Sequence, residues 1–148
     1  MSEHPATIRW QRTSDDFGYD NFNRDHEWDF GHGVCVPASS AADYLGTAER
    51  VDPEQAFVAA LSSCHMLTFL ALASKRRFVV EAYDDEALGY LEKNDDGRMA
   101  MTRVRLRPRV RFGGDTAPTP EELAQLHEKA HKYCFISNSV TARVDIDL

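Results

Sequence analysis

Two residues of this 148-residue chain have the type and setting for chemistry. Cys64 lies in the middle of the most apolar run, VDPEQAFVAALSSCHMLTFLALASK (residues 51–75), and Cys134 lies late in the chain, in HKYCFISNSV. Two roles are open to each thiol. Protonated, it is a small hydrophobe of the kind most often found inside proteins. Ionised, it is a nucleophile whose oxidation product, a sulfenic acid, needs a nearby thiol to avoid irreversible oxidation. Periodicity alone favours packing for both, and still more for Cys35, which sits in the strand-like GHGVCVP with no polar partner beside it. His65 invites a reading as an activating base. As the helical neighbour of Cys64, however, it points about 100° away.

Composition narrows what else the chain can be. With 43% hydrophobic and 28% charged residues it is expected to form one globular domain over residues 1–148. A formal charge of −7 argues against nucleic-acid binding through bulk electrostatics. Three scattered cysteines are too few for a disulfide scaffold, and none stands in a CxxC pair, so no metal or thioredoxin-type site is expected. No nucleotide or flavin site can be read either. The start, MSEHPATIRWQR, lacks an apolar core and a small-residue cleavage pattern, so a cytoplasmic location with reduced thiols is expected.

The apolar run must position Cys64, and it reads as a helix. Asp52 is a good N-cap, Pro53 suits the first helical position, and Gln55 stands where a capping-box partner reaches back. Lys75, Arg76 and Arg77 mark its end, where the helix dipole favours cations. Ser62, Ser63, His65 and Thr68 across its centre argue against a membrane span. A helix apolar almost all round must instead be covered on nearly every side.

A second helix is announced by TPTPEEL, with Thr119 as cap, Pro120 at the first position and Glu122 completing a capping box. Its apolar stripe, Leu123, Leu126, Ala130 and then Tyr133 or Cys134, carries Cys134 at the far end. Strands are expected over residues 6–13, 25–36, 78–82, 86–93 and 140–148. A long one is expected over 98–112, with Val104, Leu106, Pro108, Val110 and Phe112 on one face and five arginines on the other. Those arginines read as a solvated face paired with acidic neighbours rather than a nucleic-acid surface. NDDG, residues 94–97, is a hairpin turn. The fold class is α+β.

Taken together, DPEQAFVAALSSCHMLTFLALAS, the VRLRPRV strand after NDDG, and HKYCFISNSV resemble the OsmC/Ohr family of thiol-dependent hydroperoxide reductases, over about Ile8 to the end. The resemblance implies the OsmC-like fold, antiparallel sheets packed around a long buried central helix plus a second helix, in an intertwined homodimer with sites at the interface. It implies Cys64 as the peroxidatic cysteine and Cys134 as the resolving cysteine. It further implies an activating arginine held by the glutamate of a Pro-Glu pair. Glu54 matches that glutamate and Arg24, in NFNRDHEW, the arginine; the flanking glycines of the hydroperoxide-resistance branch are here Asn23, Asp25 and His26. No bound cofactor is implied, only an external dithiol reductant such as a lipoylated protein.

One consequence holds without the family. Glu54 and Cys64, ten residues apart, lie about 15 Å apart on a straight helix. Either the helix breaks between them, or a second copy brings its Glu54 and Arg24 to Cys64. A reading from another class is a binding protein of the same fold that holds an apolar ligand and does no redox chemistry.

Overall fold

The computed structural model describes residues 1–148. Its contacts form two compact units, Met1–Ala56 and Phe57–Leu148. The first unit carries a three-stranded antiparallel sheet of β1 (Thr7–Arg9), β2 (His26–Asp29) and β3 (Cys35–Ala38), in the order β1-β2-β3. The single strand expected over 25–36 is therefore a hairpin. Gly31, His32 and Gly33 all take positive φ, and Val34 N donates to Gly31 O, so the chain reverses there. Cys35 is exposed on β3, contrary to its expected burial, because this short sheet leaves most of its residues open.

Helix α1 (Pro53–Lys75) begins in the first unit and runs through the second. Its start is the capping box read from sequence: Gln55 N donates to Asp52 Oδ1 (2.7 Å), and Asp52 N donates to the Gln55 side chain (3.2 Å). The helix is unbroken. Leu61, His65, Phe69 and Ala73, four residues apart in turn, form its buried line. Ala59, Ala60, Ser63, Leu67 and Ala71 are exposed in the single chain, Leu67 at 59%.

After α1 come β4 (Val79–Asp85), β5 (Leu88–Lys93), β6 (Met99–Leu106) and β7 (Pro108–Gly113), then α2 (Pro120–Tyr133), a 3-10 turn over Ser137–Ser139 and β8 (Arg143–Ile146). β4 pairs with β7, and a second sheet runs β5-β6-β8. Two features depart from expectation. The long strand over 98–112 is cut at Arg107 into β6 and β7, which join different sheets. Pro108 has no N–H for a ladder, and Arg107 N is drawn aside to Asp85 Oδ1 (2.6 Å). The β6–β8 pair is also parallel, so the sheets are not all antiparallel. The NDDG turn forms as expected, with Gly97 at φ 76° and Asn94 Oδ1 accepting from Asp96 N and Arg98 N.

The inward face of both halves is the one the alternation marks, with Val104, Leu106 and Pro108 buried. Leu61 packs with Val104 and Leu106, while Phe69 and Ala73 pack with Leu126 and Ala130 of α2. On the arginine face, Arg103 pairs with Glu92 (3.4 Å) and Arg105 with Asp147, as a solvated face would. Helix α2 begins at its capping box, with Glu122 N donating to Thr119 Oγ1 (3.2 Å) and Thr119 N to Glu122 Oε2 (3.0 Å). Thr119→Ala removes one acceptor from that box and is expected to lower stability by about 1 kcal/mol in urea unfolding.

A candidate thiol site at the end of the second helix

α1 and α2 bring Cys64 and Cys134 together. Cys64 projects from the middle of α1, half-buried, and Cys134 caps the C-terminal end of α2 with no exposed surface. Cys64 lies near enough for its thiol and its charge to act on the Cys134 thiol. Burial pushes the Cys134 thiol up, and the hydrogen bond to Cys64 and the charge of Cys64 push it the same way. Cys134 therefore holds its proton as the thiol. Donors on the other side of the sulfur oppose this: Ser137 N donates to Cys134 Sγ (3.3 Å), and the Ser137 hydroxyl adds to the same effect. The sequence placed both cysteines on the correct elements; their meeting is a property of the helix packing.

Arg24 and Glu54, the other two site residues read from sequence, stand in the first unit. The Arg24 guanidinium donates to Phe22 O (2.8 Å) and Tyr19 O (2.6 Å) and lies over the Phe22 ring at 3.8 Å. Glu54 lies in the first turn of α1, with Cys64 about 15 Å further along the same unbroken helix. Of the two ways to unite Glu54 with Cys64, a break in the helix is thereby removed.

His65 is no base for Cys64. Its ring is 1% exposed and turns to α2, where His65 Nε2 and His127 Nδ1 share a hydrogen bond of 3.0 Å with the rings within 4° of parallel. Phe69 stacks on His127 at 4.3 Å. The outer nitrogens, His65 Nδ1 and His127 Nε2, and the Tyr83 hydroxyl on β4 are buried without protein partners. Burial holds both imidazoles neutral, at about 4. For His65 the neighbouring His131 adds to the lowering and Asp85 opposes it; for His127 the second cause is His65. Burial, with Asp85 beside it, raises the Tyr83 phenol.

Sequence reasoning missed His127, His131 and Ser137. The signal was present in LHEKAHKYCFIS: His127 and His131 are one turn apart on the apolar side of α2, and Ser137 follows Cys134 by three. Nothing local, however, says that His127 would meet His65.

Comparison with known proteins bears on the whole arrangement. The model of the OsmC-like protein family matches residues 46–148. An OsmC-like protein of unknown function from Vibrio cholerae is 45% identical over 99% of each chain, with a TM-score of 0.96. An organic hydroperoxide resistance protein, OsmC, from Legionella pneumophila shares the fold at 17% identity (TM-score 0.70; 100% of this chain, 97% of that one). The organic hydroperoxide resistance protein OhrB of Bacillus subtilis does so at 21% identity (TM-score 0.67; 97% and 94%). No curated protein matches the sequence. With the family model covering most of the chain and a near-identical fold in a relative of high identity, this protein belongs to the OsmC-like family.

Proposed function

We propose that this protein is a thiol-dependent peroxidase that reduces organic hydroperoxides. The observation that carries the reading is the meeting of Cys64 and Cys134, one half-buried and one fully buried, at the junction of two helices. The Cys64 thiolate attacks the terminal peroxide oxygen, releasing the alcohol and leaving a sulfenic acid. The Cys134 thiol condenses with it, expelling water and forming a disulfide. An external dithiol, such as that of a lipoylated protein, returns both to thiols in a reducing cytoplasm. The names of the Legionella and Bacillus proteins support the substrate class.

A second copy of the chain completes the site. The exposed Ala59, Ala60, Ser63, Leu67 and Ala71 give α1 an apolar face that a homodimer would cover. The same pairing would bring Arg24 and Glu54 of the partner subunit to Cys64, and the guanidinium would offset the desolvation of its thiolate.

Thiol counting tests the reaction. Mixing the reduced protein with one equivalent of cumene hydroperoxide is expected to remove two thiols per chain, with Cys35 left free and a peptide cross-linking Cys64 to Cys134. Loss of no thiols would instead favour an apolar-ligand binder; a cross-link to Cys35 would overturn the assignment. Cys134→Ser is expected to consume one equivalent of peroxide and stop, then drift to the sulfinic acid in excess peroxide. Steady turnover of that variant with a dithiol would show Cys134 to be structural.

A further inference from the structure

We propose that Ser137 receives the leaving thiolate of Cys134 when a dithiol reopens the disulfide, so that the incoming thiolate attacks Cys64. The inference rests on the two-cysteine reading above and adds the direction of its reductive half. Cys134 sits at the C-terminal end of α2, where the negative end of the helix dipole and full burial both oppose an anion. The chain answers immediately beyond it. Asn138 N donates to Cys134 O (3.1 Å), closing a turn that points Ser137 N at Cys134 Sγ (3.3 Å). Ser137 Oγ lies 3.5 Å from His131 Nδ1. With the proton on His131 Nδ1, that N–H donates to Oγ and leaves the hydroxyl hydrogen for the sulfur. By contrast, the hydrogen bond that α1 makes back to Cys64, from Thr68 Oγ1, goes to its carbonyl and not to its sulfur (2.8 Å).

Disulfides open faster toward the better-stabilised leaving thiolate, and attack needs access to the other sulfur. Access selects the direction, since Cys64 is half-buried and Cys134 has no exposed surface, and the Ser137 donors offset part of the burial that opposes the Cys134 thiolate. One reductant thiolate bonds to Cys64 Sγ, the Cys64–Cys134 bond breaks, and its electron pair goes to Cys134 Sγ beside Ser137. The second reductant thiol, giving up its proton, attacks the reductant sulfur of the mixed disulfide and expels the Cys64 thiolate. Cys134 takes up a proton, and the dithiol leaves as its disulfide, two electrons poorer.

The test starts from the disulfide made with diamide, so that it does not depend on peroxide. Oxidised protein is treated with 2-mercaptoethanol, quenched with N-ethylmaleimide and mapped by peptide mass spectrometry. Mercaptoethanol on Cys64 with maleimide on Cys134 is expected, and the reverse pattern overturns the proposal. A cross-link that forms with diamide but not with hydroperoxide would end the peroxidase reading while leaving this direction measurable; no cross-link with either reagent would overturn both. The titratable groups facing the Cys134 sulfur are Cys64 from α1 and, through Ser137, His131 from α2. In a Cys64→Ser background, Ser137→Ala is expected to move the pH midpoint of Cys134 alkylation up by about half to one unit, the worth of one hydrogen bond. With Cys64 present, the same change is expected to slow dithiol reduction about three- to tenfold, and Ser137→Thr to restore both. An unmoved midpoint and rate would remove Ser137 from the mechanism.

Discussion

Cys64→Ser is expected to consume no organic hydroperoxide, with a rate reduced on the order of a thousandfold or more, as for loss of any catalytic nucleophile. The hydroxyl keeps nearly the size of the thiol but ionises far outside the working pH range, so nothing remains to attack the peroxide. Because Cys64 is only half-buried, and its sulfur is no part of the Leu61–His65–Phe69–Ala73 line, the fold is expected to persist. Circular dichroism and urea midpoints near those of the wild type would establish that. Peroxide consumption at the wild-type rate by this variant would end the proposed mechanism.

The buried histidine pair is expected to make stability fall steeply as pH drops from about 6.5 toward 4. Each ring is held at about 4 in the fold and titrates near the ordinary imidazole value of 6.5 when unfolded. Between those values the unfolded chain binds more protons, so stability is complete above 6.5, declines as pH falls and levels off below 4. At about 1.4 kcal/mol per unit, each ring contributes a loss of roughly 2–3 kcal/mol by pH 4.5, a large fraction of the stability of a small protein. The carboxylates held below their ordinary range, among them Asp25 and Asp29, act in the same direction but lower, near and below 3.8. Urea unfolding from pH 7 to 4.5 isolates the pair. A His65→Gln, His127→Gln variant is expected to start less stable yet show a nearly flat profile over that window. A wild-type profile just as flat would mean that the rings ionise in place, with water or a side chain reaching His65 Nδ1 or His127 Nε2.

The two predictions depend on different kinds of knowledge. The sequence by itself determined the parts whose physics is local. Both helix starts follow from side chains three residues from the cap, and the NDDG turn from a glycine at positive φ and an asparagine that bonds its own backbone. The strand alternation named the inward face of β6 and β7 correctly, and a cysteine within α1 and another at the end of α2 were legible as soon as the helices were. Tertiary structure decided everything that joins distant segments. The division of 98–112 between two sheets depends on Asp85, more than twenty residues away, capturing Arg107 N. The parallel β8 had no local signal at all, because strand direction is set by the path the chain takes around α2. Cys35 read as buried since apolar neighbours surround it in sequence, yet nothing packs over its face of β3. In the same way, His65 read as an ordinary helical neighbour of Cys64, and only the packing of α2 against α1 gave it His127. The thiol pair belongs with these: each cysteine was visible alone, but the approach of Cys134 to Cys64, with Ser137 folded behind it, exists only because two helices far apart in the chain bury their apolar stripes against a common core.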